Sequence, residues 1–400
     1  MDISLNEFRN AEERIRPLIW CTNLDSSSTF SKMTGGSIYL KQENLQKTGS
    51  FKIRGASNKV ACMIERGERK PVVASSAGNH AQGVALAATR FGLPATIVMP
   101  KAAPIVKVQA TEGYGAKVVL AGDCYDDAYA EACRICKEEG AVFLHPYNDL
   151  EVIAGQGTLG LEILRALPDV DVIITPAGGG GLLSGVAAAV KQVNPRIKVY
   201  GVQAEGADAI AQSFKAGKLV TTNAVSTIAD GIAVKAPGDI TVELINRYVE
   251  DVVTVSDKQI ADAILQMMER CKEIVEPAGA TPLAAVLNGK INVEGKKVAC
   301  LMSGGNIDVS FIQSIIEQGL FVRHRRLTFT VKLLDRPGSL VKLMNVIADG
   351  GANILSVDHN KLKAGLNPNE TTVRIACEVG GKEHADTLLS SLNKKGYIIE

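Results

Sequence analysis

Short apolar runs alternate with helix-length segments from Ser37 to about Asn306. Seven of these runs have the composition of strands: SIYLKQE, PVVASS, ATIVMP, AKVVLA, DVIITPA, IKVYGVQ and KVACLMS. Strands that are apolar throughout and separated by helices favour parallel sheets covered on both faces. This many strands exceed what one compact lobe usually holds. The alternation therefore predicts an α/β fold with more than one parallel-rich sheet, flanked by helices.

A smaller pattern begins after a polar, basic stretch that contains RHRR. It starts with TFTVKLL, which reads as a strand, then the turn DRPGS and the helical LVKLMNVIADG. Two more strand patterns, a helix pattern and a final YIIE follow. This order is βαββαβ, a ferredoxin-like arrangement. We therefore predict one domain over residues 1–320, a linker over 321–326 and a second domain over 327–400.

Charge and cysteine usage exclude several classes of partner. The formal net charge is +1 and no long basic tract occurs, which argues against nucleic acid or an anionic membrane as partner. No stretch approaches the ~20 apolar residues of a membrane helix, and the N-terminal region lacks a signal pattern. The eight cysteines are scattered, without the framework of a secreted domain. The expectation is a cytoplasmic protein that acts on small molecules.

The run Thr48-Gly-Ser-Phe-Lys52 puts one lysine where a turn gives way to a helix. A lysine amine attacks an aldehyde only when it is unprotonated. Burial in an apolar pocket, or the positive end of a helix, lowers the pKa of the amine and makes this nucleophile available. Taken alone, the run is equally compatible with a solvated surface lysine.

Three further blocks of small and polar residues follow predicted strands. The block Ser75-Ser-Ala-Gly-Asn-His80 opens a helix whose free N–H groups suit an anion such as a carboxylate. The block Thr175-Pro-Ala-Gly-Gly-Gly-Gly-Leu182 contains four glycines that are costly to order, which indicates a close approach of the backbone to a phosphate. The block Ser303-Gly-Gly-Asn306 ends the last predicted strand of the series, and α/β sheets bind ligands at such strand ends.

Together and in this order, the four blocks resemble the threonine and serine dehydratases, which are pyridoxal-phosphate enzymes of fold type II in the tryptophan synthase β-like group. The resemblance spans about residues 5–320 and implies a two-lobed fold with pyridoxal 5'-phosphate as cofactor. It implies that Lys52 holds the cofactor as a Schiff base and that Phe51 lies against it. Asn79 would bond the ring hydroxyl, and Ser303 would face the pyridine nitrogen.

The resemblance also assigns the two anion sites. The cofactor phosphate would be held by Gly178, Gly179, Gly180, Gly181 and Leu182. The carboxylate of an amino-acid substrate would be held by Ser75, Ser76, Ala77, Gly78, Asn79 and His80.

The implied reaction is β-elimination of threonine and serine to 2-oxobutanoate or pyruvate and ammonia, with Lys52 removing the α-proton. A hydroxyl such as that of Ser303 cannot keep the ring nitrogen fully protonated, which favours elimination over transamination. Serine racemases share the scaffold but carry a serine where this chain has Ala77, and a methyl group cannot transfer a proton. A catalytically inactive amino-acid sensor is the alternative outside the enzymes, and the intact blocks count against it.

The C-terminal pattern resembles an ACT domain, a module that senses amino acids. Its turn Asp335-Arg-Pro-Gly-Ser-Leu340 and Asn353 match the places where such modules bind effectors between paired copies, so Gly338 and Asn353 are candidate effector residues. A purely structural dimerisation domain is the alternative. The resemblance fits a homodimer or homotetramer, and either a role in isoleucine biosynthesis or a catabolic one.

Three acidic residues have open roles. Glu205 and Asp208 fall where some relatives bind a cation, but the surrounding pattern matches poorly, so the metal stays undecided. Glu276, in VEPAGA, is interpreted as a carboxylate at the start of a helix, stabilised by the helix dipole, rather than as a catalytic acid.

Overall fold

The structure, a computed structural model, describes residues 3–362 and 366–399. The chain divides into two compact units, Met1–Ile307 and Asp308–Glu400. The strands are β1 Leu24–Ser26, β2 Ser37–Gln42, β3 Val72–Ser75, β4 Ala95–Met99, β5 Lys117–Leu120, β6 Val142–Phe143, β7 Val172–Pro176, β8 Lys198–Ala204, β9 Asp251–Val255, β10 Lys297–Met302, β11 Arg326–Leu334, β12 Asn353–Asn360 and β13 Glu370–Glu378.

The helices are α1 Leu5–Ile15, α2 Ser28–Thr34, α3 Lys52–Glu65, α4 Asn79–Arg90, α5 Ile105–Gly113, α6 Tyr125–Glu139, α7 Leu150–Ala166, α8 Gly181–Val193, α9 Ala209–Ala216, α10 Asp239–Tyr248, α11 Asp257–Gln266, α12 Pro277–Leu287, α13 Val309–Val322, α14 Ser339–Asp349 and α15 Lys382–Lys394. None of the helices in the described ranges combines the length and the apolar character needed to cross a bilayer.

The first unit contains two sheets. One has the strand order β1-β2-β10-β7-β8-β9 and the other β5-β4-β3-β6. Every pair in them is parallel except β1 with β2. The prediction of an α/β fold with two parallel-rich sheets is confirmed, and all seven predicted strands form.

The sequence patterns missed three strands of the first unit, β1, β6 and β9. Strands β1 and β6 have only three and two residues, which is too short for a periodic pattern. Strand β9 is the edge of its sheet and mixes buried with accessible residues. Such strands carry little of the continuous apolar signal of a central parallel strand.

The topology brings the four sequence blocks toward the carboxyl ends of parallel strands. Strand β10 lies between β2 and β7, so the segments after these strands share one edge of the larger sheet. The serine-containing block follows β3 in the smaller sheet. Ligand sites of α/β folds form at such edges, and this arrangement places the predicted site there.

A buried group of charges fixes α3, the helix that begins at Lys52. Arg54 Nε lies 2.8 Å from a carboxylate oxygen of Glu43, and Arg54 Nη1 lies 2.7 Å from one of Glu162. Lys41 Nζ lies 2.6 Å from the other oxygen of Glu162. All four side chains are buried. The group therefore joins α3 to β2 and α7 immediately beside the predicted lysine.

The second unit has its own sheet and core. Its antiparallel sheet has the order β11-β13-β12, and Phe329, Leu343 and Ile375 are among the residues of its core. This arrangement is consistent with the predicted ACT-like domain. The predicted final strand is the exception, because Ile399 makes a single bridge with Val331 while Ile398 is exposed.

The predicted linker over 321–326 overlaps regular structure at both ends. Helix α13 reaches Val322, and β11 begins at Arg326. Helix α13 also belongs to the second unit, which begins at Asp308. The domain limits at residues 320 and 327 stay predictions.

Candidate active site

Lys52 is the first residue of α3 and is half-buried in the first unit. Its Nζ donates a hydrogen bond to the carbonyl oxygen of Pro146 at 3.1 Å. Burial lowers the pKa of Lys52 to about 8, and the Coulombic attraction of Glu276 opposes this shift. At neutral pH about a tenth of an amine with this pKa is unprotonated, far more than for an unperturbed lysine, and a nucleophile requires that form. The solvated surface lysine is therefore the wrong interpretation.

Backbone contacts hold the lysine segment against the end of β10. The N–H of Phe51 donates to the carbonyl oxygen of Ser303 at 3.1 Å, and Ser50 forms an antiparallel bridge with Gly304. Phe51 and Ser303 are both buried. The first and fourth blocks therefore form one continuous structure, with Lys52 beside Ser303.

Asn79 is held by two neighbours that lie far away in the sequence. Its Nδ2 donates to the carboxylate oxygens of Glu276 at 2.9 and 3.0 Å, and its Oδ1 accepts from Asn306 Nδ2 at 2.5 Å. Asn306 Nδ2 also lies 2.9 Å from the carbonyl oxygen of Thr48. These contacts fix the orientation of the Asn79 amide and join the second block to the first and fourth.

Glu276 precedes α12, as expected for a carboxylate at a helix start. Its side chain makes no capping bond to that helix and faces Asn79 instead. Burial raises the pKa of Glu276 to about 7, and the hydrogen bond from Asn79 opposes the rise. The interpretation as a helix-dipole carboxylate missed this contact, because it depends on a residue 197 positions away.

The second block has buried polar atoms that face no protein partner. Among the described residues, Ser75 Oγ and His80 Nδ1 are buried and have no hydrogen-bond partner. His80 Nε2 lies 2.8 Å from the carbonyl oxygen of Leu144, and burial lowers the pKa of His80 to about 3, so its ring is neutral. Gly78 is the N-cap residue of α4 and has no side chain that could accept from the N–H groups of the first turn. The Ser75 hydroxyl and the first N–H groups of α4 are therefore the donors available to a carboxylate.

The third block forms a glycine-rich turn between β7 and α8. Gly180 caps α8 in the left-handed region with φ of 96°. A Cβ on Gly179 would lie 2.3 Å from the ring of Tyr147, so this position tolerates only glycine. Thr241 Oγ1 donates to the carbonyl oxygen of Gly179 at 2.7 Å and braces the turn. The first N–H groups of α8 are thereby available to a phosphate, and the turn fits that group.

The segment 145–149, with the sequence HPYND, connects the lysine with the glycine turn and was missed in the sequence. Pro146 accepts the hydrogen bond from Lys52, and Tyr147 packs on Gly179. The Tyr147 hydroxyl donates to the carbonyl oxygen of Ala236 at 2.8 Å. The only sequence signal was a polar, proline-containing stretch after a two-residue strand.

The candidate metal-binding and effector residues are not part of the contacts described above. No group of three or more metal-ligating side chains occurs within residues 3–362 and 366–399, and Asp208 accepts a hydrogen bond from Gln212. In the second unit, Gly338 caps α14 with φ of 87°, and the exposed Asn353 begins β12. The effector role of Gly338 and Asn353 stays a prediction.

Comparisons with known proteins agree on one family. The family model described as "Pyridoxal-phosphate dependent enzyme" matches residues 15–304. An L-threonine ammonia-lyase of Thermotoga maritima is 49% identical over 99% of this chain and 98% of its own length. A catabolic L-threonine dehydratase of Staphylococcus aureus is 47% identical over 80% of this chain and 93% of its own length. The solved structure of maize serine racemase superposes with a TM-score of 0.76 at 39% identity, covering 81% of this chain and 100% of that one.

Proposed function

The chain belongs to the pyridoxal-phosphate dependent enzymes, and from that membership we propose that it deaminates L-threonine to 2-oxobutanoate and ammonia. L-Serine, which yields pyruvate, is proposed as a second substrate. The observation that carries the proposal is the position of Lys52, an amine with a lowered pKa that the segment 145–149 joins to the glycine turn. The near full-length similarity to an L-threonine ammonia-lyase supports the choice of substrate.

The cofactor is pyridoxal 5'-phosphate, and the residues present fit its parts. When bound, it supplies an aldehyde for the amine and withdraws electrons from the α-carbon of the substrate. The turn from Gly178 to Leu182 holds the phosphate, and Phe51 and Asn79 position the ring. Lys52 holds the aldehyde end. The block from Ser75 to His80 binds the carboxylate of the amino acid, with the Ser75 hydroxyl and the first N–H groups of α4 as donors.

Lys52 has two roles in this proposal. Its amine would hold the aldehyde end of the bound cofactor, and as a free amine it would accept the α-proton of the substrate at Nζ. A general base works best when its pKa is close to the operating pH, and burial brings the pKa of Lys52 to about 8. The bond from Nζ to the Pro146 oxygen directs the amine.

Ser303 and Ala77 determine which reaction follows proton removal. Ser303, buried at the end of β10, offers the ring nitrogen a hydroxyl and no ionised side chain. A hydroxyl at this position would not keep the ring nitrogen fully protonated, which would favour loss of the β-hydroxyl over transamination. The solved racemase of similar fold makes racemisation the second candidate, but Ala77 has no proton to give to the opposite face of the α-carbon.

Regulation and assembly are part of the same proposal. The predicted ACT-like domain, residues 327–400, binds an amino-acid effector near Gly338 and Asn353 at a junction of paired copies, in a homodimer or homotetramer. The glycine cap and the exposed asparagine support this position. All eight cysteines are free, which suits a reducing compartment such as the cytoplasm.

The test is a steady-state assay of the full chain with L-threonine and L-serine, followed by chiral analysis of the remaining serine. We expect 2-oxobutanoate from threonine and little D-serine. The Lys52→Ala variant should lose at least about 100-fold in rate, because it lacks the general base, and the Lys47→Ala control on the same segment should keep it. Wild-type turnover in Lys52→Ala, or D-serine as the main product, would refute the proposal.

A further inference from the structure

His145 lies two residues after β6, at the start of the turn that contacts both ends of the site. Its Nδ1 accepts backbone N–H groups from Tyr147 at 3.3 Å and Asn148 at 2.9 Å. Burial is the main cause that lowers the pKa of His145 to about 4. The ring is therefore neutral at physiological pH and carries its proton on Nε2, which leaves Nδ1 as the acceptor.

These two hydrogen bonds bend the chain into a compact turn with a defined direction. The turn directs the Pro146 carbonyl to Lys52 Nζ at 3.1 Å. It also brings the Tyr147 ring edge-to-face with the His145 ring, with centroids 4.6 Å apart. A Cβ on Gly179 would lie 2.3 Å from the same Tyr147 ring. One histidine thus supports a segment that contacts the lysine on one side and the glycine turn on the other.

The far end of the turn is anchored independently of His145. Asn148 Nδ2 donates to Asp239 Oδ1 at 2.8 Å, and its Oδ1 accepts from the N–H of Ile240 at 3.2 Å. These bonds fix the Asn148 side chain but not the preceding carbonyl. The Tyr147 hydroxyl is also held, by the Ala236 carbonyl, so the acceptor at position 145 acts on the backbone of Pro146 and Tyr147.

We propose that His145 is a positioning residue for the cofactor, holding the Pro146 carbonyl against Lys52 and the Tyr147 ring against the glycine turn through its Nδ1 acceptor. The inference rests on the proposed function, since it takes Lys52 and the glycine turn as the two ends of the cofactor site. His145 acts through the backbone of the turn and the Tyr147 ring. A histidine that only stabilised the fold would change the melting temperature and leave the affinity for the cofactor unaltered.

Two variants separate the acceptor from the rest of the side chain. Asparagine carries Oδ1 at the same number of bonds from Cα as Nδ1 of histidine, so His145→Asn keeps an acceptor for the two N–H groups. Glutamine places its oxygen one carbon further away, so His145→Gln keeps the polarity but not the position. Leaving partly buried N–H groups unpaired is costly, so the two variants should differ.

The experiment uses the full chain, freed of cofactor and titrated with pyridoxal 5'-phosphate. The dissociation constant and the visible absorbance band of the lysine-linked cofactor are measured beside the melting temperature. We expect His145→Gln to weaken binding by about tenfold, equivalent to about 1.4 kcal/mol, and to shift the band. His145→Asn should stay within about threefold of the wild type, which is under 1 kcal/mol.

Equal dissociation constants and bands in the wild type and both variants overturn the inference. Should His145→Gln not fold, His145→Phe replaces it, because this variant keeps a ring beside Tyr147 but lacks the acceptor. Wild-type cofactor affinity in His145→Phe overturns the inference in the same way. A wild type that binds the cofactor but does not deaminate threonine refutes the proposed substrate, and the affinities of the variants still decide the role of His145.

Discussion

At the scale of single residues, the pKa of Lys52 has a measurable consequence. Only the unprotonated amine reacts with an aldehyde, so the rate at which the cofactor-free chain binds pyridoxal 5'-phosphate should rise with pH and level off above a midpoint. Burial lowers the pKa of Lys52 from 10.5 to about 8, so the midpoint should lie near pH 8. A rate that keeps rising to about pH 10, as for a solvated lysine, would contradict the assignment.

Glu276 supplies the matched variant for this measurement. Its charge raises the pKa of Lys52 against the effect of burial, so Glu276→Gln should move the midpoint to lower pH. Glu273→Gln is the control, because the Glu273 carboxylate contacts Gln42 and Asn44 instead. A shift in the control as large as that in Glu276→Gln would show that the effect is not specific to this carboxylate.

At the scale of helices and strands, the positions of three of the four blocks were predictable, because these three directly follow strands and are built from small and polar residues. Ser75 and Ser303 lie at or just after strand ends in the structure, as parallel topology requires. What connects the blocks was not predictable, since Lys52 meets Pro146 across 94 positions. Periodicity reports local structure and contains no information on such pairs. The contact of Glu276 with Asn79 was missed for the same reason.

The buried charges around α3 should dominate the stability of the first unit. Arg54→Met leaves the carboxylates of Glu43 and Glu162 buried beside fewer positive groups, which costs about 3–5 kcal/mol in comparable cases. The exposed Arg134, paired with Glu131 and Glu138, gives the control, since Arg134→Met should cost under about 1 kcal/mol. Denaturation midpoints of the two variants check this, and equal midpoints would contradict the role of Arg54.

At the scale of the whole molecule, the two units have separate cores. The hydrophobic clusters of the first unit end at Leu301, and the cluster of the second unit begins at Leu327. A chain ending at residue 323 should therefore keep threonine deamination within about threefold of the full chain, which corresponds to under 1 kcal/mol in the barrier.

The same truncation tests the proposed regulation. The full chain should respond to isoleucine or valine in steady-state assays, and the shortened chain should not. A response that survives truncation would place the effector site in the first unit. A full chain that responds to neither amino acid, nor to other amino acids, would favour the purely structural role of the second unit.

The assignment of Lys52 as the cofactor-binding lysine is tested most directly by finding which residue binds the cofactor. The full chain is incubated with pyridoxal 5'-phosphate, reduced with borohydride, digested and examined by mass spectrometry, with Lys52→Ala as control. We expect the mass of the reduced cofactor to stay on the peptide that contains Lys52, and the Lys52→Ala variant to be unlabelled. Label on a different lysine, or equal labelling of Lys52→Ala, would contradict the assignment.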